Sequence, residues 1–209
     1  MHNADPTPDD STLYVVKRTV LDPRNPSGLT STTTLPATLT SLPAAKAEAK
    51  ALLPQEGYDT DFFKIYEVKS DPEKWKYGEG VMVYAEAPSG EVFKVGIDTV
   101  PNLAGLKAGD QGRVLQPLYH VVQTLVEYGD DRSGTERYAV VEGTYADKGE
   151  ARERALKVLL DENVGKEDFV EYDEYDEDGE RPFGGDVVVH AVKEGGENIL
   201  VYNASVPAP

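Results

Sequence analysis

The feature that most constrains this chain is an internal repeat with a period of about 106 residues. Leu13-Tyr14 returns as Leu118-Tyr119, and Val81-Met82-Val83-Tyr84-Ala85 returns as Val187-Val188-Val189-His190-Ala191. Ser27-Gly28 is answered by Ser133-Gly134, Gly90-Glu91 by Gly196-Glu197, and Val100-Pro101 by Val206-Pro207, all in the same order. A repeat this long implies two fused small domains rather than a solenoid, whose repeats are far shorter. The expected organisation is a flexible N-terminal tail over 1–11, unit one over 12–101, a Gly-rich connector over 102–117, and unit two over 118–209.

Each copy sharpens the reading of the other. In unit two, residues 118–128 and 136–145 are rich in Val, Thr and Tyr and flank Gly129-Asp130-Asp131-Arg132-Ser133-Gly134, the signature of a hairpin. Unit one has 14–21 and a weaker Thr-rich strand over 29–35, followed by Pro36. A helix comes next. In unit two, Asp147 followed by Glu150 predicts a capping box and a helix over 148–161, with Ala151, Ala155, Val158 and Leu159 on one face. Unit one repeats the stripe as Ala45, Ala49, Leu52 and Leu53, and Pro54 is expected to end the run.

Three further strands are expected in each unit, over 62–68, 81–87 and 92–99, and over 169–175, 187–192 and 199–203. The last two of each set are joined by Pro88-Ser89-Gly90-Glu91 and by Glu194-Gly195-Gly196-Glu197, both hairpin turns. The fold class is therefore α+β: a tandem duplication of a ββαβββ unit, each a mostly antiparallel sheet covered by one helix. Strict alternation sends Val81, Val83 and Ala85, and likewise Val187, Val189 and Ala191, toward the helix. Met82, Tyr84 and Glu86, with Val188, His190 and Val192, then share the opposite face. That face is too apolar for plain solvation, which predicts that the units pack sheet to sheet as an intramolecular pseudodimer.

Composition removes several classes of function. A formal net charge of −17 without a Lys/Arg cluster repels phosphate backbones and anionic lipid, so neither nucleic acid nor membrane is expected as a partner. The chain has no Cys, which excludes thiol catalysis and Cys-based metal sites. No run resembles a signal peptide or a membrane span, and the cytoplasm is the expected location. Walker, dinucleotide, nucleophile-elbow and HExxH patterns are all missing, so nothing here demands an enzyme, and no cofactor is expected.

The residues that stand out are those on which the two copies disagree. His120 replaces Val15, and His190 replaces Tyr84, which makes Tyr84, His190 and His120 the candidates for binding a ligand. Trp75 is the only Trp and lies opposite Arg181 of unit two, so it is a candidate anchor for a partner. Asp173, Asp176 and Asp178 head an acidic loop that is a second partner-binding candidate. Glu174, Asp176, Asp178 and Gly179 imitate the first half of a calcium loop, but Pro182 and Gly185 stand where the later ligands belong, so no metal site is expected. Tyr77-Gly78 and Phe183-Gly184 read as tight turns, each plugged by its aromatic ring. Together these features predict a non-catalytic binding or protein-interaction protein whose partner is an unknown protein. The alternative is a small-molecule-binding protein or enzyme with a cleft between the repeats.

Overall fold

The computed structural model describes residues 11–22, 24, 31–128, 135–177, 179 and 182–208. The expected tail, apart from Ser11, lies outside these residues, as do the Ser27-Gly28 and Ser133-Gly134 turns, Asp178 and Arg181. The chain divides into two compact units: residues up to Val20 with Thr34–Leu115, and Leu21–Thr33 with Gln116 onward.

Unit one begins with strands β1 (Thr12–Leu21) and β2 (Ser31–Leu39), continues into helix α1 (Leu42–Gln55), and ends with β3 (Ile65–Val68), β4 (Val81–Glu86) and β5 (Val92–Pro101). Its five-stranded sheet has the order β2-β1-β5-β4-β3. The helix thus connects the two edge strands across one face of the sheet. Ser41 starts it by accepting the Ala44 N–H at 3.5 Å, with a proline in the first turn, where its missing N–H costs nothing. Ala45, Ala49, Leu52 and Leu53 are buried with Val83, Ala85 and Val95 of the sheet. Pro54 does not stop the helix before it but occupies the last turn, and Gly57 closes it with φ +92°.

The strand expected to weaken at Pro36 instead runs through it to Leu39. It can do so because β2 is an edge strand, where proline's missing N–H need not break a ladder. The Pro36 carbonyl accepts from Arg113 Nη2 at 2.7 Å, Thr38 O accepts the Val114 N–H at 2.9 Å, and the Thr40 N–H donates to Gly112 O at 2.9 Å. These bonds tie the segment expected to be a connector to unit one.

Unit two contains β6 (Leu118–Tyr128), β7 (Thr135–Tyr145), α2 (Lys148–Ala155), β8 (Glu171–Glu174), β9 (Val187–Val192) and β10 (Asn198–Val206). The strand order is β7-β6-β10-β9-β8, the same as in unit one, and every pair in this sheet is antiparallel. Asp147 caps α2 by accepting the Glu150 N–H at 2.9 Å, although no reciprocal bond from Glu150 forms among the described residues. The helix is shorter than the expected 148–161. After Ala155 the backbone tightens into bonds spanning three residues, Lys157 N–H to Arg154 O and Leu160 N–H to Lys157 O. Asp161 Oδ1 then turns the chain by accepting the N–H groups of Asn163 at 2.7 Å and Val164 at 2.9 Å. The short helix leaves Tyr138 and Val140, on the helix side of β7, half exposed.

Strict alternation fails at one matched place in each unit. In β4, Val81 pairs with Gly96 and Val83 with Val95, leaving Met82 as an extra residue; in β9, Val187 pairs with Tyr202 and Val189 with Val201, leaving Val188. Each bulge turns its extra residue into the helix-side core, so Met82 and Val188 join Val83 and Val189 there instead of facing away. Val81 and Val187 are correspondingly displaced from the face expected for them. No helix among the described residues is long and apolar enough to cross a membrane.

Candidate functional site

The unlike residues Tyr84 and His190 occupy the same station in their sheets, one strand in from the short edge strand. In unit two, β8 pairs with β9 so that Asp173 lies opposite His190, and Glu171, two residues earlier, points to the same face. His190 is only 4% exposed, whereas the side chains of Glu171 and Asp173 are 54% and 49% exposed. Phe183 covers the imidazole with ring centroids 4.3 Å apart, and Gly184, at φ +119°, turns the chain directly after it.

Hydrogen bonding orients that imidazole. Asn198 Nδ2 donates to Gly196 O at 3.2 Å, so its Oδ1 faces His190 Nε2 at 3.0 Å and can only accept. Nε2 therefore carries a hydrogen, and Nδ1 is the ring nitrogen turned toward the β8 carboxylates. This atom is buried and has no hydrogen-bond partner. It lies 3.8 Å from Glu171 Oε1 and 4.0 Å from Asp173 Oδ2, and one ligand atom from each of the three side chains falls within 4.8 Å of the others.

Unit one solves the same station differently. Glu67 lies opposite Tyr84, Tyr77 stacks on Tyr84 with centroids 3.9 Å apart, and the Tyr77 hydroxyl donates to Glu67 Oε1 at 2.8 Å. Lys76 Nζ reaches Glu67 at 4.0 Å and lies 5.0 Å from the Tyr77 ring centre. Burial, aided by the nearby Glu86 charge, holds the Tyr84 hydroxyl above its ordinary range. Trp75 extends the series edge-on to Tyr77 at 5.0 Å, half-buried, with its indole N–H buried and lacking an acceptor among the described residues. Both expected aromatic plugs are present, Tyr77 on Tyr84 and Phe183 on His190.

Of the residues singled out in the sequence, the structure brings His190 and Asp173 together. His120 is 0% exposed and sits 2.9 Å from Thr144 Oγ1, which is itself 1% exposed, and burial pushes the imidazole down to about 4 from an ordinary 6.5. It is a neutral core histidine. The Asp176 carboxylate is almost fully exposed, 3.7 Å from Arg152 Nη2, and it does not join the His190 group. Glu171, Asn198, Phe183 and Glu67 were not picked out as site residues. An Asp two residues after a Glu in a short strand was the available signal for Glu171, but only the β8 to β9 register sets it beside His190. No family model, no curated protein and no solved structure matches this chain.

Proposed function

We propose that this chain is a non-catalytic protein-binding protein that presents the Trp75 loop beside β3 and the acidic segment around β8 to its partner. The observation that carries the reading is that one backbone station bears two different chemistries: an aromatic series with a lysine in unit one, and a histidine with two carboxylates in unit two. A fused pair of scaffolds that keeps its frame while its presented side chains diverge is suited to recognition. His120 and Thr144, an imidazole and hydroxyl at bonding distance, are both buried beyond a substrate's reach and so supply no nucleophile–base pair. For the same reason, a ligand site using His120 draws no support.

Capture of a partner from cell extract on the immobilised full chain tests this reading, with Trp75→Ala and the Asp173→Asn/Asp176→Asn double variant as comparisons. Loss of the partner in either variant is expected. Retention in both would overturn the proposed surface.

As part of the same reading, the two units descend from one by tandem duplication and pair within the chain as a pseudodimer. The duplication is supported by the common strand order, by the bulges at Met82 and Val188, and by left-handed glycines at Gly78 and Gly184 and at Gly90 and Gly196. Small-angle scattering that required two independently moving lobes would refute the pairing.

A further inference from the structure

We infer that Glu171, Asp173 and His190 form a binding site for a divalent transition-metal ion of the zinc class. His190 Nδ1 is buried without a hydrogen-bond partner and faces two carboxylates, and a divalent cation set among them would take one ligand atom from each of the three side chains. The arrangement of Asn198 leaves no freedom to flip the ring without losing its bond to Nε2. A ring nitrogen held by an outer carbonyl while its other nitrogen points into a carboxylate pair is the usual construction of a metal-binding histidine.

The dimensions suit such an ion. Ligand atoms about 2.1 Å from zinc stand about 3.4 Å from one another in a tetrahedral shell, and the present separations from Nδ1 are 3.8 and 4.0 Å. Both carboxylates are half exposed and can close the difference by rotating, while the imidazole is held in place by Phe183 and Asn198. Imidazole in the donor set favours a first-row transition metal over calcium or magnesium, which prefer all-oxygen shells. Three protein ligands leave at least one coordination position for water or for a donor from a partner.

Unit one shows what the cation replaces. There Glu67 is met by Lys76 and by the Tyr77 hydroxyl. In unit two the residue preceding the plugging aromatic is Pro182 instead of a lysine, and no Lys or Arg among the described residues pairs with Glu171 or Asp173.

Isothermal calorimetry of the full chain with ZnCl2, together with the visible spectrum and NMR of the Co2+-loaded protein, tests the inference. The expected result is one saturable site with the His190 ring protons paramagnetically shifted. It should be abolished by Glu171→Gln/Asp173→Gln, which alters only exposed side chains, and weakened about 10- to 100-fold by Asn198→Ala. No saturable uptake of either ion at millimolar concentration would overturn the site. So would uptake that survives in the double variant, because the ion would then sit elsewhere, for example at His2. Unshifted His190 protons in the loaded protein would do the same.

Discussion

Replacing His120 with valine, the residue that unit one carries at Val15, should change how stability depends on pH. His120 is fully buried, and its value falls from 6.5 to about 4 on folding because charging it there would require desolvating an imidazolium. Between those two values the unfolded chain takes up a proton at this side chain and the folded chain does not. The unfolded state therefore binds more protons, so the group's contribution to stability declines as pH falls from about 7 toward about 4 and levels off below that. The full difference is worth about 3 kcal/mol, and about 2 kcal/mol of it is lost by about pH 4.5. At neutral pH, His120→Val costs stability because the buried Thr144 hydroxyl loses its partner, a penalty of about 1–3 kcal/mol. Urea unfolding of wild type and variant, at about pH 7 and about pH 4.5, isolates the histidine because all other titrating groups cancel in the difference. The wild type's advantage should shrink or reverse by about 2 kcal/mol at the lower pH. An advantage that stayed constant would show that His120 is not a buried neutral imidazole.

Two further outcomes follow from local geometry. Asp147→Ala removes the acceptor that caps α2 and should lower stability by about 1 kcal/mol, seen as a lower thermal midpoint and a loss of helical circular dichroism; Asp147→Asn, which still caps, should recover most of it. At Gly143, a Cβ would stand 2.9 Å from Tyr145 Cε2, so Gly143→Ala should cost about 1–3 kcal/mol through displacement of that half-core ring, measurable by urea unfolding, whereas Gly195→Ala, where a Cβ meets nothing within 4 Å, should be nearly neutral.

The order of elements was legible in the sequence because it rests on local signals: Ala and Leu at helical spacing and Gly90 and Gly196 at hairpin turns in both copies, and Asp147 at the start of the second helix. Local physics also placed Tyr77 and Phe183 next to glycines that adopt left-handed backbone. The bulges at Met82 and Val188 could not be read this way. Both faces of β4 and β9 are apolar, so an extra residue leaves no break in the pattern, and its presence is set by pairing with β5 and β10. The early end of α2 was hidden for a related reason, since Val158 and Leu159 continue the apolar stripe while the backbone tightens into turns. The candidate site depends most on tertiary structure. The sequence marked His190 as the residue that breaks the repeat and Asp173 as one acid among many, but nothing local distinguishes Asp173 from Asp176. Antiparallel register puts Asp173 opposite His190, and the Asn198 amide decides which imidazole nitrogen faces Glu171 and Asp173. Spacing along a chain fixes which residues share a strand face, whereas the chemistry of a site depends on which strands become neighbours and in what register, and that is decided by the packing of the whole sheet.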